Sequence, residues 1–350
     1  MPGREKGDQS FRGFFGVRNR VQEDYPMKEP LSRRRFLRVS SAAAWAAGTF
    51  PLSVRSTPRP PRGPYRGTYA FFSKVVPQMN WRDLAKSAKA AGFGGIDLTV
   101  RRGGHVMPQR AAEDLPKAVA AIRAEGLAVP MITTELTSAE HPTAVPIIST
   151  ASELAIPYMK PGYYRYKFID VRKELEEASN QFRGVVELAE KYRVQVGFHN
   201  DDSFVGSQTW DIARVMDTLD AKWAGYYYDL ENATIVGGDE GWRIAASLAM
   251  PRLKMVGAKD FHWQKTETKG WLAKGCPIGQ GMCNYKKFLP MLAEADFHGP
   301  ISLHMEYSIP GVSDDEGIAL SREKDDEVMA AAKQNLDTLK ALVREAYEGA

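Results

Sequence analysis

The sequence predicts a parallel (β/α)8 barrel, because eight short apolar runs alternate with eight amphipathic runs between Tyr69 and Tyr347. The apolar runs are nearly continuous, as expected for a parallel sheet buried on both faces. Amphipathic runs end at Gly92 and Gly126, and glycine is a common helix stop. A doubly wound open sheet is the alternative, but no Gly-x-Gly-x-x-Gly segment opens the first helix.

The predicted elements follow one another in a regular order. β-Rich runs predict strands at residues 69–72, 96–100, 128–134, 158–166, 194–198, 224–228, 253–258 and 301–305. Helical spacing of apolar residues predicts helices at 81–91, 115–125, 145–155, 171–192, 209–219, 242–249, 285–295 and 322–347. We expect one long loop, between the seventh strand and its helix.

Composition excludes several classes of protein. The chain has 350 residues, 43% hydrophobic and 26% charged, which is inconsistent with a collagen-like or wholly disordered protein. Two cysteines are too few for a disulfide scaffold or a Cys-rich zinc module. Cys276 and Cys283 are open to either interpretation, a short-loop disulfide or two free thiols.

The net charge of +4 is unevenly distributed along the chain. Residues 1–66 contain 14 Lys and Arg against 5 Asp and Glu, which leaves 33 against 38 in the remainder. The predicted barrel is therefore acidic, and its charge does not favour a nucleic-acid partner.

The first 50 residues have the features of an export leader. Residues 32–38, Ser-Arg-Arg-Arg-Phe-Leu-Arg, resemble the twin-arginine signal, and an apolar run follows from Val39 to Phe50. That run is too short to span a bilayer but suits a signal peptide. We predict a leader at 1–50, a Pro/Arg-rich spacer at 51–66 and the barrel at 67–350, with Met1 or Met27 as the start. The resemblance implies recognition by the twin-arginine export machinery, a periplasmic or other extracytoplasmic location, and no stable membrane insertion after processing.

Polar residues cluster at the predicted carboxyl ends of the strands, where barrel enzymes have their active sites. His199, Asp229 and Glu306 come from three strands and are predicted to meet at one mouth. Nitrogen and carboxylate ligands of this kind suit a divalent ion such as Mn²⁺, Co²⁺, Zn²⁺ or Mg²⁺. Lys259 and Asp260 are further candidates, either for catalysis or as a salt bridge that orients the site. His304 is a second-rank candidate.

The combination of motifs resembles the sugar isomerase/epimerase superfamily with the xylose-isomerase-like barrel. The resemblance covers residues 68–310 and depends on segments such as Arg102-Gly103-Gly104-His105-Val106, Gly197-Phe198-His199-Asn200, Ala258-Lys259-Asp260-Phe261 and Gly299-Pro300-Ile301-Ser302-Leu303-His304-Met305-Glu306-Tyr307. It implies one divalent metal, with Asp229 and Glu306 at two of the four ligand positions. The sequence departs from the family at the other two, where it has His199 in place of a glutamate and Gly257 in place of a histidine.

The resemblance implies proton abstraction next to a carbonyl, with isomerisation or epimerisation of a sugar or keto-sugar. Glu306, His199, Lys259 and Asp260 are the candidate catalytic residues. Of the two family glutamates, only Glu306 is present, so a β-eliminating lyase acting on 3-keto-glycosides is an alternative. A carbohydrate-binding barrel without catalysis is a second alternative. An AP-endonuclease-like nuclease is disfavoured, because the barrel lacks a histidine-rich zinc cluster and a basic face.

A carbohydrate substrate is also indicated by aromatic residues in the loops that follow the strands. About half of these aromatics are expected to cover the outer barrel core instead. The candidate substrate-binding residues are Trp81, Arg102, His105, Tyr164 and Trp263.

Overall fold

The computed structural model describes residues 63–314, 317–318 and 322–349, and it contains a closed parallel barrel. Going around the barrel, the strands begin at Tyr69, Ile301, Leu253, Ala224, Gln195, Tyr158, Ala128 and Gly95, and each pairs in parallel with its neighbours. The predicted fold class is therefore confirmed. The predicted leader and most of the spacer, residues 1–62, lie outside the described residues.

The barrel strands are short and end at the mouth. They are β1 (Tyr69–Phe72), β2 (Gly95–Val100), β3 (Ala128–Thr134), β4 (Tyr158–Lys160), β5 (Gln195–His199), β6 (Ala224–Asp229), β7 (Leu253–Ala258) and β10 (Ile301–Leu303). All six residues of β2 and of β6 are buried, as expected of strands covered on both faces.

Helices follow the strands and form the outer layer. They are α1 (Trp81–Ala90), α2 (Ala111–Ala124), α3 (Ala144–Glu153), α4 (Val171–Lys191), α5 (Thr209–Thr218), α6 (Leu230–Ala249), α7 (Tyr285–Glu294) and α8 (Asp325–Glu348). Polar side chains cap several N-termini: Asn80 accepts a hydrogen bond from the Asp83 amide, and Asp229 accepts one from the Asn232 amide.

Two elements differ from the prediction. The expected long loop after β7 is an antiparallel hairpin of β8 (Asp260–Thr266) and β9 (Gly270–Cys276), which pair over their whole length. The predicted helix at 242–249 begins earlier, at Leu230, with a break at Gly238, whose φ is +63° and ψ −162°. Only glycine adopts this backbone conformation readily, so the break has a local cause.

The main apolar core lies between the strands and the helices, and a second, small cluster fills the barrel interior. The interior cluster consists of Met131, Tyr227 and Met255. A Cβ at Gly197 would lie 2.1 Å from the Met255 Cε, so a glycine at this position of β5 makes room for the methionine. The three side chains are buried, so the barrel interior is filled by side chains and is not an open channel.

In the part of the chain that the structure describes, no helix is both long enough and apolar enough to span a bilayer. Cys276 and Cys283 are buried free thiols, so the structure favours two free thiols over a short-loop disulfide.

Candidate functional site

A cleft of about 800 Å³ opens at the carboxyl end of the strands. Its lining is mostly polar and charged and includes Lys74, Asp201, Glu231, Lys259 and Glu306. The hairpin β8–β9 contributes one wall, through His262, Gln264 and Lys274. The cleft therefore lies where barrel enzymes bind their substrates.

Lys259 is the centre of the charged groups in this cleft. Its Nζ lies 3.1 Å from Glu306 Oε2, 3.6 Å from Asp229 Oδ2 and 3.6 Å from Glu231 Oε1. Lys74, in the turn after β1, donates to the other Glu306 oxygen, Oε1, at 2.6 Å. Two ammonium groups thus contact one carboxylate from its two sides.

The charges in this group shift each other's protonation. Burial disfavours the Lys259 ammonium, but Asp229, Glu306 and Glu231 outweigh burial and hold its pKa well above the usual value. Burial likewise opposes the charge on Glu306, but Lys259 and Lys74 keep the pKa of this carboxyl well below its usual range. Glu231 shows the opposite outcome: burial raises its pKa to about 8, although Lys259 acts against this. The cleft therefore contains a carboxylate, Glu306, and a second carboxyl group, Glu231, whose protonated form is favoured by burial.

Asp229 is fixed by its place at the junction of β6 and α6. Its amide donates to Asn200 Oδ1 at 2.8 Å, and Asn200 Nδ2 donates to the Asp229 carbonyl at 2.9 Å. Its own Oδ1 accepts from the Asn232 amide at 3.0 Å. The remaining oxygen, Oδ2, faces His199 and Lys259.

His199 lies at the end of β5, buried between aromatic rings. The Tyr163 hydroxyl is 2.8 Å from its Nδ1, and its ring stacks on Tyr227 with centroids 4.4 Å apart. Its Nε2 is 3.4 Å from Asp229 Oδ2. Burial, assisted by the charge of Lys160, lowers the His199 pKa to about 3, so the ring is neutral at physiological pH.

A second polar network lies next to this one, inside the barrel. Asp97 accepts hydrogen bonds from Thr133 Oγ1 and Ser302 Oγ, each at 2.8 Å. The Tyr227 hydroxyl is 2.8 Å from His304 Nε2, so His304 points inward. These contacts fix the groups behind the cleft.

Asp260 holds the loop that follows β9. Its Oδ1 accepts from the amides of Phe261 and Cys283, and its Oδ2 accepts from those of Gly279 and Gly281, at 2.9–3.1 Å. Both oxygens are thus engaged by backbone amides. This arrangement favours the positioning role for Asp260 over direct participation in chemistry, and it gives no Lys259–Asp260 salt bridge.

The five predicted substrate-binding residues lie outside the lining of this cleft. Trp81 Nε1 donates to the His105 carbonyl at 3.0 Å, and the Arg102 amide donates to Glu135 Oε1 at 3.3 Å. Tyr164 is buried and stacks on Phe198. Trp263, 40% exposed, is on the hairpin beside cleft-lining residues. None of the five belongs to the described cleft lining, so their contact with substrate stays a prediction.

The side chains present do not fit a resident divalent ion. Within the described residues, His199 Nε2, Asp229 Oδ2 and Glu231 Oε2 are buried without a hydrogen-bond partner, which would suit a cation. The cation at this place is the Lys259 ammonium. In the described part of the chain, no three His, Cys, Asp or Glu side chains are grouped so as to hold a metal.

Sequence reasoning missed Lys74 as a member of this site. Lys74 lies two positions after the first strand, so the strand-end rule indicates it in the same way as the residues after the later strands. Glu231 follows Asp229 by two positions and so also lies at a strand end, but the sequence predicts no role for it. Nothing in the sequence indicates the elevated pKa of Glu231, which depends on burial.

Solved structures of the same fold include two with informative ligands. A xylose isomerase-like TIM barrel protein from Mycobacterium smegmatis, in complex with magnesium, is 14% identical, with 79% of this chain and 98% of that chain covered and a TM-score of 0.57. D-allulose 3-epimerase from Methylomonas sp., in complex with D-allulose, is 14% identical, with 79% and 98% covered and a TM-score of 0.58. At this identity the likeness concerns the fold.

An uncharacterized protein of Methanocaldococcus jannaschii is 23% identical over 147 residues, 41% of this chain. The match spans about half, 48%, of that relative's length. The family model for the xylose isomerase-like TIM barrel matches residues 85–340, which include seven of the eight barrel strands and all the residues of the cleft except Lys74. This chain belongs to the xylose isomerase-like TIM barrel family.

Proposed function

We propose that this protein is an enzyme that removes a proton next to the carbonyl of a sugar or keto-sugar, as an isomerase or epimerase. The observation that carries the proposal is the Lys259 ammonium held between Glu306 and Glu231 in the cleft. For enolisation, a carboxylate can act as the base, a carboxylic acid can return the proton, and an ammonium group can stabilise the developing oxyanion. The sugar epimerase among the similar structures supports this choice of substrate class.

Glu306 is the proposed base. It lines the cleft, its side chain is 23% exposed, and its low pKa keeps it ionised at physiological pH. Deprotonation of the substrate develops negative charge on the carbonyl oxygen. Lys259 and Lys74, which line the cleft, are the proposed hydrogen-bond donors to that oxygen. Both ammonium groups already contact Glu306, so base and donors approach the same part of the substrate.

Glu231 is the proposed acid. Burial raises its pKa and so favours the protonated form, and it lines the same cleft as Glu306. In an isomerase it would deliver a proton to the enediolate. In a β-elimination it would protonate the departing glycosidic oxygen, so the same acid supports a lyase acting on 3-keto-glycosides as the second candidate.

The location is a separate part of the proposal. The twin-arginine resemblance of residues 32–38 supports export to the periplasm or another extracytoplasmic compartment. Replacing Arg33 and Arg34 by lysine should leave the protein in the cytoplasmic fraction of its host. Export of the variant at the wild-type level would contradict this proposal.

Incubation with a panel of sugars and 3-keto-glycosides in D₂O tests the chemistry, with proton NMR as the readout. Deuterium entering a sugar C–H with retention of the carbon skeleton is expected for an isomerase, whereas an unsaturated product with a released aglycone indicates the lyase. Glu306→Gln should abolish both. Glu240→Gln, on an exposed part of α6, is the control that should retain full turnover.

Binding of a sugar without exchange or elimination would contradict the enzymatic proposal and favour the carbohydrate-binding alternative. Full turnover of Glu306→Gln would refute the assignment of the base.

A further inference from the structure

We propose that the Lys259 ammonium, together with that of Lys74, takes the place of the divalent metal in this barrel. Two of the three side chains that the sequence predicted as metal ligands, Asp229 and Glu306, are both partners of Lys259 Nζ, at 3.6 and 3.1 Å. The cationic position between them is thus filled by the protein itself. The role toward a substrate oxygen depends on the proposed function, whereas the replacement of a metal charge does not.

Charge supports the replacement. The side chains of Lys259 and Asp229 are 9% and 0% exposed, so water screens the charge of this carboxylate only weakly. A buried cation is therefore needed to balance it. Lys74, beside Glu306 at 2.6 Å, supplies a second ammonium group. Two ammonium groups carry the same total charge as one divalent ion, and both come from the chain.

Gly257 explains why β7 contributes no ligand. A Cβ built at this position would lie 3.1 Å from Asp229 Oδ2, so a side chain here would point at the carboxylate. The sequence has a glycine at the family's histidine position, and the strand therefore presents no donor atom to Asp229. Lys259, two positions after Gly257 and directly after β7, provides a positive charge at this place instead of a metal-binding lone pair.

An ammonium group preserves one part of metal chemistry and loses another. It has three N–H donors, which can bind a developing oxyanion, but it has no fixed coordination geometry for holding two substrate oxygens. Of the three carboxyl groups around Lys259, only Glu306 is at hydrogen-bond distance, so donor capacity remains for a substrate.

Binding of Mn²⁺ to the chelator-treated protein tests the inference without any substrate. Isothermal titration calorimetry with MnCl₂ should show no stoichiometric binding to the wild type or to Lys259→Arg, which keeps the charge. Lys259→Ala removes the ammonium and leaves Asp229, Glu231 and Glu306 around the space. We expect it to bind about one equivalent of Mn²⁺ at least 100-fold more tightly than the wild type, and Gly257→His in the same background should tighten binding further.

Two results would overturn the inference. One is stoichiometric Mn²⁺ binding by the wild type that Asp229→Asn abolishes. The other is a folded Lys259→Ala protein, verified by circular dichroism, that binds Mn²⁺ no more tightly than the wild type. If Lys259→Ala does not fold, Lys259→Gln gives the same comparison. Failure of the D₂O experiment would refute the proposed reaction but would not change the Mn²⁺ result, so the two failures are distinguishable.

Discussion

Replacing Asp260 by asparagine should destabilise the protein strongly, although the two side chains have nearly the same shape. The carboxylate accepts four backbone hydrogen bonds, two at each oxygen, and it is 1% exposed. In asparagine one oxygen becomes an NH₂ group, which cannot accept, so two of the amides lose their partner. The loop is close-packed on this side chain, since a Cβ at Gly281 would lie 2.2 Å from Asp260 Oδ1.

The magnitude follows from the number of lost bonds. A hydrogen bond to a charged group contributes about 1.5–3 kcal/mol, so the loss of two lowers the free energy of unfolding by about 3–6 kcal/mol. This is a large fraction of the roughly 5–15 kcal/mol that stabilises a typical domain. Hydrogen exchange should accelerate at the amides of the loop, Gly279, Gly281 and Cys283.

Urea denaturation followed by circular dichroism measures the change. Asp337→Asn is the matched control, because Asp337 forms an exposed pair with Lys333 at 2.6 Å and its loss should change stability by less than about 0.5 kcal/mol. A loss below about 1 kcal/mol in Asp260→Asn, with unchanged hydrogen exchange in the loop, would refute the anchoring role.

Two further predictions concern stability as a function of pH. Burial lowers the pKa of Lys160 to about 7, against 10.5 for an ordinary lysine. The contribution of the buried neutral amine to stability is therefore fully present above pH 10.5, and it is lost as the pH falls through 7. Between these two pH values the free energy of unfolding should rise with pH by up to about 1.4 kcal/mol per pH unit. Urea denaturation at pH 7, 8 and 9 measures this slope, and Lys160→Met should remove the part that the lysine causes. Equal slopes for the variant and the wild type would contradict the prediction. Burial lowers the His105 pKa to about 4, against 6.5, so its contribution is present above pH 6.5 and is lost as pH falls through 4. His105→Asn should therefore show a shallower loss of stability between pH 6 and 4, measured by thermal denaturation, and an unchanged pH profile would show that the buried ring is not the cause.

The sequence alone determined the barrel and most of its strand boundaries. Strand and helix periodicities are local properties, and the absence of charged residues from runs such as Ala224–Tyr228 indicates burial on both faces. The strand-end rule also selected Asp229, Lys259 and Glu306, which the structure brings together. The departure from the family at Gly257 was likewise readable in the sequence.

Only the tertiary structure decided how these groups are paired. Lys74 and Glu306 are 232 positions apart and meet because β1 and β10 are neighbours when the barrel closes. The same closure buries Lys259 among three carboxyl groups and raises the pKa of one of them, Glu231. The residue types at the mouth follow from the chain, but the charge that each side chain carries depends on which others are buried beside it, and this is a property of the closed barrel.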